Sequence, residues 1–135
     1  MKMKDSEAAK IRILVLDDEV QIVDVFSRLM KQFNYHTDFF RDGNTAIEVI
    51  AQDPARYDVI VSDIKMPNID GIEFAKRIRN LCPNTPIIFM TGYPSEEIKK
   101  EALKLKKVVF LEKPFPLHET FEELIPELIK GNFPS

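Results

Sequence analysis

The sequence predicts a single α/β domain, doubly wound, with a parallel sheet covered by helices on both faces. Three observations carry this. Short apolar runs alternate with segments of helical period, several of those runs are hydrophobic on both sides as buried parallel strands are, and 135 residues suit one core. A hydrophobic share of 44% with 30% charged residues is that of a globular chain, and no apolar run approaches a membrane span, so a soluble protein is expected.

The elements follow in order. Ile11 to Leu16 is a two-sided strand, and Ile22, Phe26, Leu29, Met30 and Phe33 recur at helical spacing behind it. Tyr35 to Phe40 is a second strand, less apolar and so nearer an edge, and Asp42 caps a helix with Ala46, Val49 and Ile50 on its inner face. Asp58 to Ser62 is a third strand, and the turn-rich Lys65 to Gly71 leads into a helix burying Phe74, Ile78 and Leu81. Pro86 to Met90 is a fourth strand. Ser95 caps a helix acidic at its start, with Glu96 and Glu97, and basic toward its end, with Lys104, Lys106 and Lys107. Val108 to Leu111 is the fifth strand, and Pro116 opens a last helix with Leu117, Phe121, Leu124 and Leu128 on its apolar side. Right-handed βαβ crossovers then give a parallel sheet, whose ligands sit beyond the carboxyl ends of the strands.

Residues 1–10 carry charge without an apolar core, which marks no secretory signal and predicts a solvated tail on a cytoplasmic protein. Cys82 stands alone, excluding an internal disulfide and a cysteine metal cluster, and its neighbours suggest the buried end of a helix. A net charge of -3 with both signs interspersed argues against direct nucleic-acid binding.

Strand ends carry the chemistry. The first ends in Asp17, Asp18 and Glu19, the third in Asp63, the fourth in Thr91-Gly92, and the fifth is followed by Lys113-Pro114. Singly, each has a plain structural explanation: Asp17 or Asp18 as a helix cap, Asp63 as a turn residue, Lys113 as a solvated lysine. Together, acids, a hydroxyl and an ammonium would open onto one crevice. Gathered carboxylates raise one another's pKa unless a cation joins them, and an all-oxygen set suits Mg2+ rather than zinc. The acidic first strand end also disfavours a nucleotide phosphate there. The constellation fits phosphoryl transfer.

The pieces ILVLDDE, DVIVSDIKMPNIDG, PIIFMTG and VVFLEKPF, in that order, resemble the receiver domain of two-component response regulators from Ile11 to the last helix. The resemblance implies a flavodoxin-like fold with strand order 2-1-3-4-5, over a receiver unit at 11–130 with a short tail at 131–135. It makes Asp63 the phosphoacceptor, Asp18 a direct Mg2+ ligand, Asp17 a ligand through water, and the backbone carbonyl of Lys65 a further ligand. Lys113 would hold a phosphoryl oxygen, Thr91 another, and Phe110 matches the family's rotating aromatic. The donor implied is a phosphohistidine of a histidine kinase or histidine phosphotransferase, docking near the first helix, where Gln21, Asp24 and Arg28 are candidates. The output surface implied is the fourth helix, fifth strand and fifth helix, here Ser95 to Lys107, Val108 to Leu111 and Leu117 onward. It would serve a downstream protein or a phosphorylation-dependent homodimer.

Three features depart from the family pattern. Lys65 and Tyr93 are large residues at positions that influence hydrolysis of the acyl phosphate, and a long-lived phosphorylated state is expected. ALKLKKVVF lacks the glycine that often precedes the fifth strand, and Pro126 predicts a kink or an early stop near Ile125. After Gly131 only Asn132, Phe133, Pro134 and Ser135 remain, which suits a stand-alone regulator or an excised receiver. Two other functions compete: a receiver-like scaffold that is never phosphorylated, and a phosphatase of the haloacid dehalogenase type. The five residues Asp17, Asp18, Asp63, Thr91 and Lys113 weigh against the first. Against the second, Asp17-Asp18-Glu19 lacks the DxD pattern.

Overall fold

Every apolar run becomes a strand of five residues: β1 (Arg12–Leu16), β2 (His36–Phe40), β3 (Val59–Asp63), β4 (Ile87–Thr91) and β5 (Val108–Glu112). Between and after them run helices α1 (Val20–Gln32), α2 (Gly43–Gln52), α3 (Gly71–Arg79), α4 (Glu96–Leu103) and α5 (Leu117–Ile129). These elements come from a computed structural model that describes residues 10–134. Residues 1–9, most of the expected N-terminal tail, and Ser135 lie outside the described residues.

All strand pairs are parallel, in the order β2-β1-β3-β4-β5. Successive residues of a strand point to opposite faces, so a strand apolar throughout feeds two cores. Leu14, Leu16, Ile60, Ile87 and Phe89 join Ala46, Ile50, Phe74 and Ile78 on the α2–α3–α4 side. Ile13, Val15, Val61, Ile88 and Met90 join Phe26, Met30, Phe121 and Ile125 beneath α1 and α5. The edge strand β2 is half-buried throughout, as its mixed composition HTDFF predicts.

The register levels the strand ends. Leu16 pairs with both Phe40 and Ser62, Asp63 with Met90, and Thr91 with Glu112. Residues directly after β1, at the ends of β3 and β4, and after β5 are thereby brought to one edge of the sheet.

Helix ends hold the corrections. The Asp42 side chain accepts from Asn44 N, Asp70 from Glu73 N and Ser95 from Ile98 N, so these caps form. Neither Asp17 nor Asp18 caps α1: Glu19 stands at its N-cap and makes no side-chain cap bond. Pro116 likewise stands just before α5 rather than in its first turn. Pro126 does not stop α5, which continues to Ile129 because Ile125 and Leu128, on either side of it, are both buried in the core. The carbonyl that Pro126 leaves without its helical donor belongs to Glu122, an exposed residue. At the end of α5, Gly131 adopts φ 91 and its N–H donates to Leu128 O, while Asn132 N–H donates to Glu127 O. This Schellman closure turns Phe133 back, half-buried, onto the α1–α5 core.

The fourth helix ends at Leu103, not at Lys107. Where a glycine was missed, Lys107 itself takes the left-handed conformation at φ 60, at a cost of about 1 kcal/mol for a residue with a side chain. Arg79, in the last turn of α3, covers the exposed carbonyls. Its Nη2 donates to Lys106 O at 2.7 Å and Lys107 O at 3.3 Å, and its Nη1 to Cys82 O at 2.9 Å and Thr85 O at 2.7 Å. Cys82 is buried three residues past the end of α3, its thiol donating to Ile78 O. Arg79→Met keeps the aliphatic stem and removes these donors from two loops. We expect it to lower stability by about 2 to 3 kcal/mol, read as a reduced urea midpoint with an unchanged denaturant slope.

Candidate functional site

The site lies at the carboxyl edge of β1 and β3, where a doubly wound sheet presents its ligands. Asp17, directly after β1, is pinned from both ends: its N–H donates to Phe40 O at 3.0 Å, and its Oδ1 accepts from Glu19 N at 2.9 Å. Asp63 ends β3 and is buried. Its Oδ1 accepts from Lys65 N at 3.3 Å and its Oδ2 from Lys113 Nζ at 3.1 Å. Carboxylate oxygens of Asp17, Asp18 and Asp63 lie within 4.8 Å of one another. The three acids and Lys113, read from the strand ends of the sequence, thus lie together in one cluster.

Lys113 is the main protein cation in that cluster. Besides Asp63, its Nζ approaches Asp17 Oδ2 and Glu19 Oε1, each at 3.9 Å. Burial pushes its ammonium pKa down. The hydrogen bond it donates to Asp63 and the charges of Asp63, Asp17 and Glu19 outweigh that and leave it raised. The main chain holds Lys113 too, its N–H donating to Thr91 O at 2.8 Å, and the following Lys113–Pro114 peptide is cis.

One ammonium does not satisfy the cluster. Asp17 Oδ2 is buried without a hydrogen-bond partner. Burial pushes the Asp17 pKa up to about 6, its bond from Glu19 N opposes this, and the neighbouring Asp63 charge adds to the rise. An orphaned carboxylate oxygen beside two further carboxylates is a donor set suited to a hard divalent cation.

Around the cluster, Thr91 is fully buried at the end of β4, and its Oγ1 accepts from Tyr93 N at 3.0 Å. Phe110 is half-buried on β5, beside Phe89 in register, and packs on the α2–α3–α4 core. Lys65 Nζ lies 5.5 Å from the centre of the exposed Tyr93 ring, joining the loops after β3 and β4. Gln21, Asp24 and Arg28 are all exposed on α1.

Glu19, read with Asp17 and Asp18 as the acidic end of the first strand, shares Lys113, as above. Two residues escaped the sequence reading as parts of the site. Arg41, directly after β2, donates from Nη2 to Asp18 O at 3.3 Å. Gly71 has to lack a side chain, because a Cβ there would collide with the backbone carbonyl of Asp63 and approach Ile64 Cα within 2.9 Å. The Asp70-Gly71 helix start was a signal for that glycine. Arg41 gave none, since its contact depends on strand register.

Buried Asp17 makes apo stability pH-dependent. Its pKa is 3.8 ordinarily and about 6 in the fold, so the folded state binds the extra proton between those values, and stability falls as pH rises through about 6. Asp17→Asn removes that cost while keeping an acceptor for Glu19 N. Without added metal it should gain on the order of 2 kcal/mol above pH 7, with the gain shrinking toward pH 4, read by thermal unfolding across pH.

Comparison with known proteins agrees with this geometry. The family model described as the response regulator receiver domain matches residues 13–125. The regulatory protein AtoC of Escherichia coli is 35% identical over 108 residues, covering 80% of this chain and 23% of AtoC. The response regulator receiver protein CpdR of Brucella abortus is 29% identical, covering 87% of this chain and 97% of CpdR. Among solved structures, chemotaxis protein CheY4 of Vibrio cholerae superposes with a TM-score of 0.78 at 31% identity, covering 89% of this chain and 99% of that one. The chain spans about a quarter of the length of AtoC and most of the length of CpdR. No helix among the described residues is long and apolar enough to cross a membrane. With five parallel strands in the order 2-1-3-4-5 and a receiver match across most of its length, the chain belongs to the response regulator receiver domain family of two-component signalling.

Proposed function

We propose that the chain is a phosphorylation switch in which Asp63 accepts a phosphoryl group from a phosphohistidine of a histidine kinase or histidine phosphotransferase. One observation carries it: Asp63 is held at 3.1 Å by Lys113 within a carboxylate cluster whose buried Asp17 Oδ2 has no hydrogen bond. Asp17, Asp18, Asp63 and the Lys65 carbonyl would hold Mg2+, which when bound neutralises charge between these oxygens and the phosphoryl group. An Asp63 oxygen bonds to phosphorus as the P–N bond breaks, and the electron pair leaves with the donor imidazole. In hydrolysis, water oxygen bonds to phosphorus and the P–O bond to Asp63 breaks, returning the carboxylate and releasing phosphate.

Lys113 keeps one phosphoryl oxygen in place as a fixed positive charge. Thr91 turns its hydroxyl to another oxygen, giving up the bond it now accepts from Tyr93 N, and Phe110 takes the vacated space. The face formed by α4, β5 and α5 would then seat a downstream protein or a second phosphorylated copy. A receiver unit at 11–130 and a cytoplasmic location belong to the same proposal. The domain catalyses only its own phosphorylation and dephosphorylation.

Intact mass after incubation with Mg2+ and acetyl phosphate tests the assignment. The native chain should gain one phosphoryl group, and neither Asp63→Asn nor the native chain with chelator should. A gain that persists in Asp63→Asn would sink it.

The Lys65–Tyr93 contact joins the loops that follow β3 and β4, next to Asp63 and Thr91 in the chain, and should slow hydrolysis by restricting water. A cation–π contact at an exposed site contributes about 0.5 to 1 kcal/mol, so Tyr93→Ala should shorten the phosphoprotein half-life about two- to fivefold. The native half-life should be minutes or longer. One of seconds would count against a shielding role.

A further inference from the structure

Negative charge outnumbers positive at the mouth of the site. Asp17, Asp18, Glu19 and Asp63 gather there, and Lys113 is already engaged by three of them. A phosphoryl donor is itself an anion, so the charges that meet it outside the buried cluster govern its approach. Arg41 occupies that position. It follows the last residue of β2, whose carbonyl accepts from Asp17 N at 3.0 Å, and its own Nη2 donates to Asp18 O at 3.3 Å.

The form of this contact is informative. Arg41 is exposed and bonds a neutral carbonyl, and among the described residues it forms no ion pair, although Asp18, Glu19 and Asp42 are near it in the chain or the fold. Its charge is consequently not cancelled by a carboxylate partner. A guanidinium has five N–H donors in a planar fork that matches phosphate oxygens, and one bond to Asp18 O leaves the rest available. Lys65, an exposed cation two residues after Asp63, instead lies over the Tyr93 ring.

We propose that Arg41 is a donor-recognition residue, tethered by the Asp18 carbonyl at the β1–β2 side of the site and presenting its guanidinium to the incoming phosphoryl donor. It touches neither Asp63 nor the metal-ligating oxygens in the structure and acts on donor capture, not on the bond exchange. The proposal rests on Asp63 as acceptor.

Phosphorylation by acetyl phosphate with saturating Mg2+ tests it, followed by intact mass across donor concentration and ionic strength for the native chain, Arg41→Ala and Arg41→Lys. Losing one charge contact in a water-like surrounding is a change of about fivefold. Arg41→Ala should therefore phosphorylate about fivefold more slowly at low donor and low salt, with a weaker salt dependence, and should approach the native rate at high donor. Arg41→Lys should recover most of the loss. Calorimetric Mg2+ titration without donor separates a purely structural role. Arg41→Ala should bind Mg2+ as tightly as the native chain or more tightly, because a nearby cation is gone. Weakened Mg2+ binding, or unchanged concentration and salt dependence of phosphorylation, would overturn the proposal. Asp63→Asn run alongside keeps the two assignments apart: mass gain in that variant refutes Asp63 as acceptor and leaves the Arg41 rate comparison intact.

Discussion

The interaction on which the site depends is the contact of Lys113 with Asp63, made in a place where charge is costly. Asp17 and Asp63 are both buried, and a parallel sheet with apolar residues on either side leaves them little water. Two buried carboxylates sharing one ammonium are under-compensated, and the unpartnered Asp17 Oδ2 shows where the deficit lies. Hydrophobic strands impose this arrangement. Their register fixes the strand ends at one level, and the acids have to converge because the apolar residues behind them cannot move out of the core.

Such an unfavourable cluster makes chemical sense as a receptor. A divalent cation or a phosphoryl group entering it meets oxygen donors and an ammonium already oriented, so little reorganisation is required on binding. Gly71 belongs to the same construction, since only a residue without Cβ lets α3 begin against the Asp63 carbonyl. Its N–H donates to Ile64 O at 2.8 Å, which ties the loop after β3 to the start of that helix.

The sheet and the acidic cluster were legible in the sequence because both follow from local rules. Two-sided apolar runs mean buried parallel strands, and the residues following them must share an edge. What resisted reading depends on distant partners. The α4 end required Arg79, from another helix, to bond Lys106 and Lys107 carbonyls, which allows Lys107 to do without the expected glycine. Pro126 promised an early stop by local chemistry, and core packing of Ile125 and Leu128 overrode it. Arg41 carries no motif of its own, and only the alignment of β2 with β1 reveals its contact with Asp18.

Uneven anchoring of the helices gives the proposed signal a direction. α1, α3 and α5 each bury three or more residues, whereas α4 buries only Ala102. Thr91 is followed four residues later by Ser95, the cap of that least anchored helix, and Tyr93 between them donates its N–H to Thr91 Oγ1. A phosphoryl group that reorients the Thr91 hydroxyl therefore releases a backbone bond in the segment leading to α4. Regions with little buried apolar area shift at the lowest free-energy cost. The displacement is expected at α4 and the side chain of neighbouring Phe110, while the strand backbones that position Asp17, Asp63 and Lys113 stay in place.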